Sequence, residues 1–246
     1  MLSSKDLYLT GLQIKWDNIV RDSYLRRIEA IRDLDELKFQ SPVTFFVGEN
    51  GSGKSTLLEA IAIAYGFNPE GGTINYSFST YDSHSELCDA IRLIRSYPKA
   101  KWGYFLRAES FYNVATAEDY YSKMPGSKAV PQEFHKKSHG ESFLALVQNS
   151  FSEKGLYILD EPEAALSPQR QLTLLLEMSK CVKNDSQFIV VTHSPILLGY
   201  PDADILSFDD GTIEPVSYED TQSYQITKMF VNERKHILKH LFEEIE

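Results

Sequence analysis

The sequence predicts an α/β protein with a mainly parallel core sheet built around a phosphate-binding loop. Three observations carry that reading. Gly48-Glu49-Asn50-Gly51-Ser52-Gly53-Lys54-Ser55-Thr56 matches the G-x-x-x-x-G-K-[ST] pattern, and an apolar run precedes it while a helical pattern follows. Short apolar runs then alternate with stretches of helical spacing, as in chains that wind helices around a parallel sheet. A later apolar run, Tyr157-Ile158-Leu159, ends in the paired carboxylates Asp160-Glu161.

Taken in order, residues 5–47 read as strands, with Leu7 to Leu9, Leu12 to Trp16, Leu25 to Ile31 and Val43 to Val47 as candidates. Ser55 to Tyr65 is rich in Leu, Ala and Ile and reads as a helix, and Asn68-Pro69-Glu70-Gly71-Gly72 then breaks the chain. Ser83 to Ser96 has helical spacing, with Leu87, Ile91 and Ile94 on one side, and Trp102 to Arg107 reads as a strand. Residues 111–140 are polar and Tyr-rich, interrupted by Pro125-Gly126 and Pro131, with helix expected around 115–123. Glu141 to Phe151 reads as a helix and Leu156 to Leu159 as a buried strand. Pro168 to Val182 reads as an amphipathic helix, Phe188 to Val191 as another buried strand, and the chain after Tyr224 as a charged helix.

Composition narrows the class. With 246 residues, 42% hydrophobic and 24% charged, the chain can bury a full core as one large domain or two lobes. A net charge of −10 argues against a surface coated in positive charge for nonspecific nucleic-acid binding. Arg21, Arg26, Arg27, Arg32 and Lys136-Lys137 leave a local basic face open, although a solvated face is the blander account of both clusters. No apolar run approaches the ~18 residues of a membrane span, and Met1 to Asp6 lacks the apolar stretch of a secretion signal. The expectation is a cytoplasmic protein without membrane insertion. Cys88 and Cys181 have no metal-ligand spacing and read as reduced thiols. The pairs His135/His139 and His236/His240 are four apart, but no third ligand accompanies them, which argues against zinc.

The loop motif carries a specific chemistry. Its glycines let the main chain curl against phosphate oxygens, and Asn50, Gly51, Ser52, Gly53 and Thr56 present their N–H groups there. Lys54 supplies a point charge to the β- and γ-phosphates, and Ser55 a hydroxyl to Mg²⁺. Asp160, at the end of its strand, is placed to hold a water on that metal. Glu161 can then accept the proton of an attacking water, unless the pair serves only as a helix cap. His193 in Val190-Val191-Thr192-His193-Ser194-Pro195 emerges from the next buried strand. It can contact the γ-phosphate, or it can be a structural histidine. Ser138 and Glu141 form an S-x-x-E capping box, and a capped helix N-terminus is also an anion site.

Phosphate loop, Asp-Glu-Pro and Thr-His-Ser-Pro in that order resemble the ABC-type ATPase superfamily, in its soluble branch of RecF-like, SMC-like and OLD-like proteins. Phe105 to Phe111, Ser138 to Phe143 and Asp160 to Pro168 bring the chain near the small stand-alone bacterial ATPases labelled AAA-family, over roughly residues 40–225. The resemblance implies a P-loop NTPase with an N-terminal antiparallel β subdomain and a small helical lobe. On that plan residues 1–246 form one ATPase domain. About 1–110 and 153–225 make the RecA-like and β lobe, about 111–152 the helical lobe, and 226–246 a C-terminal helix.

It also implies ATP and Mg²⁺ as cofactors and an ATP-dependent homodimer, with each site completed by a signature loop from a second subunit. Ser138-His139-Gly140-Glu141 is the counterpart of that loop, with Ser138, Gly140 and Glu141 as phosphate contacts and His139 where a glycine is usual. Glu109 stands where the family has a metal-contacting glutamine, or is a plain surface carboxylate. Ser167 replaces the usual aspartate of the dimer-contact loop, and Tyr24 lies at about the right distance upstream to stack on adenine. The implied function is an ATP-gated switch or clamp acting on nucleic acid or an effector protein, with DNA repair or phage defence as analogies. A transporter's nucleotide-binding subunit and a slow-turnover ATP-binding scaffold are the alternatives. Residues 109–138 are too few for a long coiled-coil arm.

Overall fold

A computed structural model of the chain describes residues 2, 6–74, 85–97, 99–107 and 139–243. The strands are β1 (Leu9–Ile14), β2 (Glu36–Lys38), β3 (Val43–Val47), β4 (Gly72–Thr73), β5 (Ile91–Arg95), β6 (Trp102–Arg107), β7 (Gly155–Asp160), β8 (Gln187–Val191), β9 (Asp204–Ser207) and β10 (Glu214–Pro215). The helices are α1 (Glu29–Arg32), α2 (Lys54–Tyr65), α3 (Leu87–Ala90), α4 (His139–Ser150), α5 (Pro168–Lys183), α6 (Pro195–Leu198) and α7 (Gln222–Glu243).

One sheet runs β10-β9-β3-β8-β7-β6-β4, and a second runs β2-β1-β5. Strands β9, β3, β8, β7 and β6 are parallel to their neighbours, and β10 and β4 close the edges antiparallel. The smaller sheet is antiparallel throughout. The expected α/β class and the separate antiparallel sheet are therefore both present.

The central strands β3, β7 and β8 are buried at every residue and mostly apolar, because both faces are covered. Side chains alternate across the sheet, so Phe46, Phe105, Ile158, Ile189 and Val191 fall on one face. There they meet Leu57, Leu58 and Ile61 of α2 and Leu9 and Leu12 of the antiparallel sheet. Phe45, Tyr104, Tyr157, Phe188 and Val190 fall on the other face, against Phe143, Leu146 and Val147 of α4 and Leu174, Met178 and Val182 of α5. A buried carboxamide links the two sheets: Gln187 accepts from Leu9 N at 3.0 Å and donates to Leu9 O at 2.8 Å. Both ends of that side chain are satisfied, as burial requires.

Two sequence readings need correction. Leu25 to Ile31 is not a strand: Tyr24–Arg27 is a 3-10 turn whose N-cap Ser23 accepts from Leu25 N, and α1 follows. Ser83 to Ser96 is not one helix. Among its described residues α3 stops at Ala90, and Ile91 to Arg95 pairs with β1 as a strand. The run Ile91-Arg92-Leu93-Ile94-Arg95 fits either period over so few residues, and pairing with β1 decides the outcome. The helix expected around 115–123 lies outside the described residues.

Helix α7 differs from the rest. None of its residues is buried, and Ile226, Met229, Phe230, Val231, Leu241 and Phe242 are exposed along it. No helix among the described residues is long and apolar enough to cross a membrane.

Candidate functional site

Strand β3 ends at Val47, and Gly48, Gly51 and Gly53 then take φ of 134°, 83° and 100° to wrap the loop back into α2. Gly53 is the N-cap of α2, and its left-handed backbone comes with a close approach. A Cβ there would lie 2.6 Å from Ile28 Cγ2 and 2.7 Å from Ile31 Cδ1, whereas one on Gly51 would meet nothing within 4 Å. Gly53→Ala should therefore combine left-handed strain with overpacking, about 2–5 kcal/mol together. Gly51→Ala should cost only the backbone part, about 1–2 kcal/mol. Thermal unfolding of the nucleotide-free chain should show the larger drop in Tm for Gly53→Ala. Equal drops would mean that α1 gives way to the added methyl.

Inside the loop, the Lys54 ammonium donates to Gly48 O at 2.7 Å and Glu49 O at 2.6 Å, with Ser52 Oγ at 3.4 Å. Lys54 is only 4% exposed. Burial lowers its pKa, and the carboxylates of Glu161, Asp209, Asp160 and Glu49 pull it back up. The loop is fastened from outside by Asp209, whose Oδ1 accepts from Glu49 N at 3.0 Å and whose Oδ2 accepts from Ser207 Oγ at 2.7 Å. Asn50 is exposed at the loop tip, and Thr56 is half-buried in the first turn of α2.

Ser55 Oγ donates to Asp160 Oδ1 at 2.9 Å, joining the first turn of α2 to the end of β7. A hydroxyl and a carboxylate side by side are hard oxygen donors of the kind Mg²⁺ accepts, with phosphates and waters completing its shell. Arg107, paired in register with Asp160, brings its Nε to 4.0 Å from Asp160 Oδ2 and its Nη1 to 3.1 Å from Glu59 Oε2. It is a cation beside Asp160 that the motifs did not single out.

Glu161 follows with φ 48° and ψ 51°, a left-handed conformation that costs a non-glycine residue about 1–3 kcal/mol. Its N–H donates to Val191 O at 3.0 Å, and Pro162 disfavours the ordinary helical conformation for it. The Glu161 Oε1 atom lies 3.8 Å from His193 Nε2. The His193 main chain is held in turn, with its N–H donating to Glu163 Oε1 at 2.6 Å. Ser194 Oγ caps α6 by accepting from Ile196 N and Leu197 N. Burial raises the pKa of Glu163. His193 Nε2 is itself a buried atom with no hydrogen-bond partner, turned toward the carboxylate it would work beside. An orphaned ring nitrogen here fits a phosphate oxygen.

Gly48 to Ser52, His193 and Asp209 line a cleft of ≈ 1070 Å³ that also takes in Tyr24 and Arg27. Tyr24, 51% exposed, donates its hydroxyl to Ser85 Oγ at 2.8 Å. Gly140 and Glu141 are not among the residues lining that cleft. Gly140 lies against Ala165 O, and Glu141 pairs with Arg170 at 3.3 Å. Ser138 and Glu109 lie outside the described residues. Ser167 is the N-cap of α5.

Residues 24–118 match the family described as "AAA domain", and residues 142–199 match "AAA domain, putative AbiEii toxin, Type IV TA system". The first match spans the phosphate loop and the second spans Asp160, Glu161 and His193. Over these two segments the chain is similar to AAA-domain proteins. Among solved structures, the SMC head domain from Thermotoga maritima is 16% identical, with a TM-score of 0.46, covering 86% of this chain and 100% of its own. An SMC head bound to the C-terminal winged-helix domain of ScpA is 14% identical, with a TM-score of 0.47, covering 85% and 97%. CbiO1 from Clostridium perfringens, part of an ABC transporter complex, is 16% identical, with a TM-score of 0.45, covering 85% and 91%. No curated protein matches the chain.

Around the loop and the β7 carboxylates, Asp209, Arg107 and Glu163 make contacts that motif reading missed. Asp209 follows a short strand in Phe208-Asp209-Asp210-Gly211, where the acidic pair and glycine read only as a turn. Its hold on the phosphate loop depends on β9 lying beside β3, which spacing does not reveal.

Proposed function

We propose that the chain binds Mg·ATP, hydrolyses its β–γ bond, and uses ATP binding to pair two copies into a nucleotide-gated switch. Such a switch or clamp would act on nucleic acid or on a partner protein. The observation that carries the reading is the Ser55–Asp160 contact of 2.9 Å at the mouth of the phosphate loop, with Glu161 and His193 at its side. Ser55 and Asp160 would hold Mg²⁺, directly or through a water, and the ion would supply positive charge against the β- and γ-phosphates. Lys54 would turn from the loop carbonyls to those phosphates. Glu161 would take a proton from the water that attacks the γ-phosphorus, as the bond to the ADP oxygen breaks and phosphate leaves. His193 would hold a γ-phosphate oxygen through its ring N–H.

Pairing has separate support. Gly140 and Glu141 stand beside Ala165 and Arg170, apart from their own chain's cleft, so a phosphate contact from α4 calls for another chain's nucleotide. The apolar side chains exposed on α7 add a surface that suits a partner. On this reading about 1–110 and 153–225 form the nucleotide-binding lobe, about 111–152 the lobe that presents the signature, and 226–246 an appended helix.

Light scattering of Glu161→Gln tests it. The mass should shift from one chain to two on adding Mg·ATP, and an unchanged mass would remove ATP-driven self-pairing from the proposal. Ser138→Arg in the same background should keep nucleotide binding in the single chain and lose the shift; a normal dimer would show that the Ser138 loop takes no part.

A further inference from the structure

The cleft over the phosphate loop has one wall that the motifs do not explain. Gln222, Ser223, Ile226 and Thr227, from the opening turns of α7, line it together with Tyr24, Arg27 and Gly48 to Ser52. A recess of ≈ 540 Å³ beside it is lined by Gly48, Glu49, Asn50, Glu161, His193 and Gln222. Gln222 therefore shares one recess with the phosphate loop, the proposed base and the histidine.

Its place there is fixed from behind. Thr221 is buried and donates its hydroxyl to Tyr218 O at 2.7 Å, and the Tyr218 hydroxyl donates to Pro195 O at 2.9 Å. The Tyr218 ring packs on Tyr224 at 4.6 Å between centroids. Pro195 opens α6, two residues after His193, so the start of α7 and the His193 loop are tied to one support. The Gln222 side chain itself is exposed toward the recess, so it can change without loss of packing.

We propose that Gln222 is a further catalytic residue of the ATPase site, positioning the attacking water. This rests on the ATPase reading given above. A water about to attack needs a second anchor besides the carboxylate that takes its proton. A carboxamide suits the task, since its carbonyl accepts the other O–H while its NH₂ donates to a γ-phosphate oxygen. It is also neutral. Glu49, Asp160, Glu161 and Asp209 already surround the loop, and another anion would repel the triphosphate. Gln222 thus couples hydrolysis to α7, the helix that carries the exposed apolar surface.

The test uses the full chain, with steady-state ATP hydrolysis, binding of a fluorescent ATP analogue, and thermal unfolding. Gln222→Ala should lower kcat by about 10- to 100-fold, the scale of a misplaced reactant, with KM, nucleotide affinity and Tm near wild type. Gln222→Glu should weaken ATP binding more than ADP binding, because the added charge faces the γ-phosphate. Wild-type kcat in Gln222→Ala would overturn the inference. So would a parallel loss of affinity and Tm, which would make the residue structural. A wild-type chain that binds no ATP would overturn the ATPase reading itself and this inference with it. Binding without turnover in the wild type would leave a nucleotide-binding site and likewise overturn a role for Gln222 in hydrolysis.

Discussion

Replacing Lys54 with alanine is expected to abolish measurable nucleotide binding at micromolar concentrations. The ammonium is nearly enclosed, donating to Gly48 O and Glu49 O and facing four carboxylates. Its contacts are of two kinds. The carbonyls close the loop on itself, and a bound triphosphate would replace these neutral acceptors with anionic oxygens, so that both donor and acceptor carry charge. The variant loses that gain and keeps the cost. Glu49, Asp160, Glu161 and Asp209 stay in place with one cation fewer among them, so an incoming polyanion meets net repulsion. Truncating one partner of a buried, hydrogen-bonded charge pair typically costs about 2–5 kcal/mol. At about 1.4 kcal/mol per factor of ten, that weakens ATP binding by roughly 30- to 4000-fold. Calorimetric titration of wild type and Lys54→Ala with Mg·ATP measures it directly, and circular dichroism checks that the variant is folded. Retained tight binding by a folded variant would sink the phosphate-loop assignment, and the metal and base assignments would lose their anchor.

How far the sequence revealed this site follows from where each residue sits. Gly48 to Thr56, Asp160, Glu161 and His193 are legible because each follows a mostly apolar run, and burial on two faces leaves such strands little other identity. Three parallel strands side by side then bring their ends together without further information. What stayed hidden depends on contacts between distant segments. The left-handed turn at Glu161 carries no glycine or asparagine to announce it. It is imposed by the bond to Val191 O and by the proline that follows. Asp209 and Gln222 reach the loop only because β9 lies beside β3 and α7 starts at the cleft, and neither segment has a motif. The misread Leu25 to Ile31 shows the same limit. Its isoleucines are apolar because Ile28 and Ile31 pack where Gly53 has no Cβ, and that packing selects turn and helix over strand.

Glu161→Gln should separate binding from chemistry. The substitution keeps the size of the side chain, and glutamine suffers the left-handed backbone at 48°, 51° no more than glutamate does. Asp160, Ser55 and Lys54 are untouched, so affinity for Mg·ATP should stay within a few-fold of wild type. A slight gain is expected, because one negative charge leaves the neighbourhood of the phosphates. Turnover should fall by about 10²–10⁴, the usual contribution of a positioned base. His193 cannot make up the loss, since a ring nitrogen that donates to a γ-phosphate oxygen is not free to accept from water. His193→Ala should therefore slow turnover while leaving Glu161 in its role, and the double variant should be little slower than Glu161→Gln alone if the two act on the same step. Single-turnover hydrolysis with enzyme in excess reads the chemical step without product release. Unchanged turnover in Glu161→Gln would move the base elsewhere in the recess. Lost binding would instead mean that the carboxylate holds the metal, and Asp160 would then be the residue to test as the proton acceptor.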